Sequence, residues 1–266
     1  MDTPQRNASD HLSLDALTAG VSIYQRRKGH RFSSDDIVTA WVAMQVAPTP
    51  SRVLDLGCGI GSVLLHLAWS APQSTLVGIE AQDISFELLR RNIAHNELTA
   101  RITVHHGDLR DATADNLGAP FDLITGTPPY FPPDTASDAL DAQRAFARIE
   151  YRGGIEEYTE AAATMLTADG WYAVCGDADA STRIESAAVM TGLEICRTYV
   201  VVPRAARPPL FTVWALRHSG TATPRQSRQL VLRDENGERT ADAKMLRAFS
   251  GFPERETSHV EPAQRL

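Results

Sequence analysis

The stretch that most restricts how this chain can fold is Asp55-Leu56-Gly57-Cys58-Gly59-Ile60-Gly61-Ser62. It follows the apolar run Arg52–Leu56 and leads into a helical pattern at about Ile60–Trp69. Glycines at alternate positions let a backbone turn tightly out of a strand and approach a ligand with no side chain between, just before a helix N-terminus. The chain is thereby committed to a strand-loop-helix unit built around a ligand. The dinucleotide fingerprint G-x-G-x-x-G needs glycine where Ser62 stands, and a Walker-type loop needs a Gly-Lys-Ser/Thr that is absent. Both of those ligand classes are excluded.

From Arg52 onward, strand and helix patterns alternate. Further strands are predicted at Thr75–Glu80, Ile102–His106, Phe121–Thr125 and Trp171–Gly176. Helices are predicted at about Ile84–His95 and Ile155–Leu166, with another after Asp179. Such alternation implies right-handed crossovers and a mostly parallel α/β sheet covered on both faces, with its ligand beyond the carboxyl ends of the strands. The end of the chain differs. Glu194–Pro203 and Leu210–Arg217 are successive apolar strands and predict an antiparallel hairpin, followed by a short strand at Gln229–Arg233 and a helix at Ala241–Phe249. Ahead of the alternation, Ser33-Ser34-Asp35-Asp36 offers a capping box to a helix at Ile37–Val46, and Val21–Phe32 suggests a small hairpin. The expected layout is a disordered N-terminus at 1–20, a hairpin and helix at 21–50 in contact with substrate, a catalytic domain at 51–250 and a flexible tail at 251–266.

Composition narrows the function classes. A 43% hydrophobic and 22% charged content suits a soluble globular chain with a sizeable core. No apolar run reaches 18 residues and the start, MDTPQRNASDH, is polar, so neither a membrane span nor a secretory signal is expected. Cys58, Cys175 and Cys196 are odd in number and lie in apolar surroundings, which fits core thiols of a cytosolic protein. No metal is expected: the adjacent His105 and His106 would face opposite ways on a strand. The formal net charge of -7 argues against indiscriminate coating of nucleic acid. Local basic clusters remain at Arg26, Arg27, Lys28, His30 and Arg31, and at Arg144, Arg148 and Arg152 with helical spacing.

Three strand ends carry acids: Asp55 before the glycine loop, Glu80 with Ala81 after the second strand, and Asp108 with Leu109 after the third. A carboxylate at the second of these ends can accept from both ribose hydroxyls of an adenosine. After the fourth strand comes Thr127-Pro128-Pro129-Tyr130-Phe131. Neither proline can donate to a sheet ladder, and the first drives Thr127 into an extended conformation. The result is a stiff edge of carbonyl acceptors beside an aromatic plate, suited to a flat ring with an exocyclic amine. An ordinary proline turn with two aromatics tucked into the core is the plainer alternative.

The acid followed by G-x-G-x-G resembles the S-adenosyl-L-methionine loop of class I methyltransferases, and Thr-Pro-Pro-Tyr resembles their Asn/Asp-Pro-Pro-Tyr/Phe acceptor motif. The order of pieces is similar to the bacterial tRNA-Val adenine-N6-methyltransferase family. The basic hairpin, Phe-Ser-Ser-Asp-Asp, Ala147-Arg148-Ile149-Glu150, Arg-Pro-Pro-Leu-Phe and Gln-Leu-Val-Leu-Arg carry that likeness over roughly 21–250. It implies a Rossmann-like seven-stranded sheet and a methyl transfer that leaves S-adenosyl-L-homocysteine. It also implies a site in which Asp55, Gly57, Gly59, Gly61, Glu80, Ala81, Asp108 and Leu109 hold cofactor. Asp55 would face the cofactor's amino group and Asp108 its adenine. Thr127 and the Pro128 carbonyl would accept from the adenine amine, with Pro129 and Tyr130 completing the catalytic edge. Phe131, Arg26, Arg27, Lys28, Arg31 and Arg148 would hold tRNA or another structured RNA. Position 127 is threonine where the family has asparagine, a shorter acceptor. Methylation of a small molecule or protein amide, and a cofactor- or RNA-binding protein without chemistry, are the alternative functions.

Overall fold

The computed structural model describes residues 11–133, 141–220 and 223–252. Strands β1 (Leu12–Ala16) and β2 (Ser22–Arg26) open it as an antiparallel pair, followed by α1 (Ser34–Val46). Then β3 (Arg52–Leu56), α2 (Ser62–Ser70), β4 (Thr75–Glu80), α3 (Asp83–His95) and β5 (Ile102–His106) alternate. A 3-10 turn (Leu109–Asp111) and the short α4 (Ala114–Leu117) lead to β6 (Phe121–Gly126), α5 (Ala142–Arg148), α6 (Ile155–Met165), β7 (Leu166–Asp177) and α7 (Ser181–Thr191). Next come β8 (Leu193–Val202), β9 (Phe211–His218), β10 (Gln226–Val231) and α8 (Ala241–Phe249).

The main sheet has the order β10-β8-β9-β7-β6-β3-β4-β5. Strands β3 to β7 run parallel, and β9 lies antiparallel between β7 and β8. β3 and β6 are buried almost throughout, as strands covered on both faces are. One core gathers α1, α2, α3 and α8 over one face, and α6 and α7 cover the other around Tyr158, Tyr172 and Trp214. Among the described residues no helix is long and apolar enough to cross a membrane.

Two expectations need correction. The sheet has eight strands, not seven, because β10 adds to the β8 edge in parallel. It also starts at Gln226, three residues before the sequence pattern suggests. Gln226, Ser227, Arg228 and Gln229 are exposed and only Leu230 is fully buried, so the apolar signal of an edge strand covered by one helix is weak. α8 seals it through Asp242, which accepts from the Val231 amide at 3.0 Å.

The second correction concerns the N-terminus. Disorder was expected to residue 20, yet β1 occupies 12–16, so the hairpin spans 12–26 and Arg27–Arg31 form the loop beyond it. Its polar residues are engaged: Asp15 accepts from Gln25 at 2.8 Å and pairs with Arg31 at 3.2 Å. The hairpin docks through two asparagines one helical turn apart, Asn92 on α3 and Asn96 at its C-cap. Asn92 Oδ1 accepts from the Tyr24 amide at 2.7 Å, and Asn96 Oδ1 from the Ser22 amide at 3.0 Å. Asn92 also donates to the Ile60 carbonyl at 2.9 Å, tying the hairpin to the glycine loop. Residues 1–10 and 253–266, the rest of the expected disorder, lie outside the described residues.

Candidate active site

A cavity of about 760 Å³ opens over the carboxyl ends of β3 to β6. The glycine loop forms its floor, and two glycines there do different things. Gly57 has φ +58°, and a Cβ on it would overlap the Tyr158 hydroxyl, so the buried α6 tyrosine fills the space beneath the loop. Gly59 has φ +56° and a Cβ on it would meet nothing, so the loop's open side faces the cavity. Gly61 does not line the cavity; it starts α2, where a Cβ would press on Leu89.

Of the strand-end acids, Glu80 and Asp108 line the cavity, with Ala81 and Leu109 beside them. Glu80 accepts from the Gly59 amide at 2.8 Å and the Gln82 amide at 2.6 Å. Burial nevertheless raises its pKa, with those amides opposing the rise. Asp108 is held by Arg110 at 2.7 Å, and that contact lowers its pKa. Asp55 does not line the cavity. It is 1% exposed, one layer below the loop, where Oδ1 accepts from Thr125 Oγ1 at 2.7 Å. Burial pushes its pKa up to about 7; the Thr125 hydroxyl and the Leu64 amide oppose the rise, yet Oδ2 has no hydrogen bond of ordinary geometry.

The acids that reach the cavity from the N-terminal side are Asp35 and Asp36, which the sequence suggests only as helix caps. Asp36 accepts from the Ser33 amide at 2.9 Å. Burial raises its pKa, and neighbouring Asp35 adds to the rise. Asp35 accepts from Ser33 Oγ and from the Tyr130 hydroxyl at 3.1 Å.

Thr127 to Phe131 all line the cavity, facing the glycine loop. Tyr130 is pinned at its far end, its hydroxyl lying 2.7 Å from Cys175 Sγ on β7 as well as against Asp35. Phe131 forms an isolated bridge with Ile149; its amide donates to the Arg148 carbonyl at 3.0 Å, and the Glu150 amide donates back at 2.9 Å. That bridge explains the Ala147-Arg148-Ile149-Glu150 segment, which splints the Pro-Pro-Tyr edge. Gln143 of α5 is another residue with no sequence signal. It is fully buried, accepts from the His30 amide at 3.3 Å and donates to Ser85 at 3.2 Å, fastening the basic loop to α3.

The basic residues divide. Arg27, Lys28, Arg31 and Arg148 line the cavity, joined by Arg144 and Arg152. Arg26 does not; it pairs with Asp141 at 3.0 Å. Arg31 is partly neutralised by Asp15. α5 ends at Arg148, so Arg152 is not on the helix that its spacing suggests, although it reaches the same rim. Arg148 lies over the Phe131 ring at 5.3 Å.

Comparison with known proteins points the same way. A family model described as the methyltransferase small domain matches residues 32–148, from Phe32 to the end of α5. A Porphyromonas gingivalis protein named tRNA1(Val) (adenine(37)-N6)-methyltransferase is 33% identical over 148 residues, 54% of this chain and 57% of the relative. A Bacteroides fragilis protein of the same name is 28% identical over 66% of this chain and 72% of its own. The match thus spans little more than half the length of the first of these curated relatives. Among solved structures, a predicted O-methyltransferase from Agrobacterium tumefaciens superposes with TM-score 0.61 at 17% identity, covering 82% of this chain and 97% of that one. Pyrococcus horikoshii TYW2 in complex with MeSAdo superposes with TM-score 0.55 at 18% identity, covering 78% and 71%. The chain has the Rossmann-like class I methyltransferase fold, and its resemblance to the tRNA adenine-N6-methyltransferases holds in direct sequence comparison.

Proposed function

We propose that this chain is an S-adenosyl-L-methionine-dependent methyltransferase acting on the exocyclic amine of an adenine in tRNA or another structured RNA. The observation that carries the proposal is that one cavity joins the glycine loop, the Thr127–Phe131 edge and a rim of arginines. The residues fit the cofactor. Gly59 and Gly107 line the cavity and would admit a Cβ into open space, which leaves a cradle along the strand ends. Glu80 offers its remaining lone pairs to ribose hydroxyls, and Asp36 offers a buried acid to an ammonium group, whose charge would draw it back to the carboxylate. Asp55 acts from below by holding the strand end through Thr125. When bound, the cofactor supplies a methyl group on a sulfonium and is released as S-adenosyl-L-homocysteine.

The protein's share of the chemistry is alignment. An adenine amine is a poor nucleophile because its lone pair is conjugated into the ring. Thr127 Oγ1 and the Pro128 carbonyl accept its two hydrogens and turn the lone pair out of the ring plane. Tyr130, fixed by Asp35 and Cys175, stacks on the extruded base, as single-stranded RNA loops permit. Arg27, Lys28 and Arg148 neutralise the flanking phosphates. The matching names of the relatives support the RNA substrate.

The test is transfer of labelled methyl to total tRNA lacking the mark, with nucleosides identified by mass spectrometry. N6-methyladenosine is the expected product. Normal cofactor uptake with unlabelled tRNA would overturn the RNA assignment in favour of a small molecule or protein amide.

A further inference from the structure

Beside the acceptor edge, the cavity lip carries two large aromatic side chains that the chemistry above does not use. Phe146, near the end of α5, is 38% exposed and Tyr151, just beyond it, is 45% exposed. Their rings meet edge to face at 5.3 Å and 63°. The Arg152 guanidinium lies over the Phe146 ring at 5.0 Å, and Arg148, over Phe131, stands next to both in the chain. Phe146, Arg148 and Arg152 line the cavity; Tyr151 stands outside it. Together the two rings leave aromatic surface open to solvent at the lip, next to a guanidinium.

We propose that Phe146 and Tyr151 form a stacking subsite for an unpaired nucleobase adjacent to the one that is methylated. The proposal rests on the RNA function above and deepens it. Three observations favour a nucleotide over a protein side chain. The platform is continuous with the cavity that takes the target base, so a neighbouring base arrives there along the same strand. Aromatic rings alternate with guanidinium groups, the pattern that grips stacked bases together with their phosphates. Arg148 and Arg152 form no salt bridge among the described residues; Arg152 also feels Glu80 and Asp108 across the cavity, so Arg148 is the freer of the two to meet a phosphate. Glu150 in the same segment is taken up by Arg183 at 2.7 Å and does not oppose them. The platform is rigid where it must be, because the Phe131–Ile149 bridge fixes the intervening backbone to the acceptor edge. Stacking on an aromatic face is tolerant of base identity, so this subsite would measure that a base is present and unpaired, not which base it is.

The experiment uses stem-loop RNAs that the full chain methylates, with an abasic ribose placed on the 5′ or the 3′ side of the target adenosine. Affinity is read by fluorescence anisotropy with S-adenosyl-L-homocysteine present, and KM and kcat by methyl transfer. For the wild type, one of the two abasic RNAs should bind about tenfold more weakly. Tyr151→Ala and Phe146→Ala should each bind intact RNA about tenfold more weakly and lose the penalty for that abasic site. Tyr151→Phe should keep both, and cofactor affinity of Tyr151→Ala should be unchanged, which separates loss of the subsite from loss of fold. RNA methylation by the wild type with no abasic penalty, or alanine variants that retain it, would overturn the subsite alone. If the wild type methylates no RNA, the RNA function falls and the subsite with it.

Discussion

Asp55→Asn gives a quantitative test of what the buried acid does. With its pKa pushed up to about 7, the native chain keeps a proton that the unfolded chain loses at its ordinary value of roughly 3.9. Between about pH 4 and 7 the folded state therefore binds more protons, and stability falls as pH rises through that window; above it the deficit is constant. A difference of about 3 units at about 1.4 kcal/mol each gives about 4 kcal/mol at most. Asparagine carries no such charge. Its oxygen keeps the Thr125 hydrogen bond, while its NH2 takes the position of Oδ2, which lacks a hydrogen bond of ordinary geometry, and faces the Leu64 amide, another donor; an unsatisfied buried donor costs about 1–3 kcal/mol. The variant should be less stable than wild type near pH 4 and more stable by about 1–3 kcal/mol at pH 8, with the curves crossing between. Urea unfolding of cofactor-free protein from pH 4 to 8.5 measures this. A stability difference that does not change with pH would refute the buried charge.

Four further outcomes are expected. Gly57→Ala should lower the melting temperature more than Gly59→Ala. Both have positive φ, costing roughly 1–2 kcal/mol, but only the first collides with Tyr158; Gly59→Ala should instead weaken cofactor binding by calorimetry. Tyr130→Phe keeps the ring and loses the Asp35 and Cys175 contacts, so kcat should fall while cofactor affinity holds; equal loss of both would mean a general collapse. Thr127→Asn should equal or exceed wild-type turnover on RNA, and loss of activity would mean that the acceptor is not an adenine amine. Arg27→Ala, Lys28→Ala and Arg148→Ala combined should reduce the salt slope of RNA binding by about 2, at roughly 0.7 per phosphate contact. Arg26→Ala, whose guanidinium is turned to Asp141, should leave that slope nearly unchanged.

What could be read from sequence was what local periodicity encodes. β3, β4, β5 and β6 end where apolar runs meet Gly57, Glu80, His106 and Gly126, and the Pro-Pro pair marks the edge beyond β6 on its own chemistry. What escaped depends on partners far along the chain. β1 is a five-residue Leu-Ser-Leu-Asp-Ala stretch, too short to stand out, and it is held as a strand by pairing with β2 and by the contacts of Asp15 with Gln25 and Arg31. Asp35 and Asp36 look like helix caps until α1 is docked against the cavity. Gln143 is one polar residue in a short helix, and only the folded chain brings it under Gly29 and beside Ser85. Arg110 is two residues from Asp108, yet no pattern says that it will claim that carboxylate instead of leaving it free. Asp55 carries the strongest motif in the chain and still sits one layer deeper than the motif implies.

Ala19, at the tip of the first hairpin, donates its amide to the Ser250 carbonyl at 2.8 Å, and Trp69 packs against both Gly20 and Gly251. The hairpin leads straight into the basic loop over the cavity, so this joint has a consequence for biosynthesis. A ribosome delivers the hairpin early and its anchor almost last, and domains begin to fold as they emerge. The cavity floor, complete once α6 has brought Tyr158 beneath Gly57, is formed before α8 exists to brace the roof. A nascent chain therefore completes the cavity floor before the final helix braces the basic loop above it.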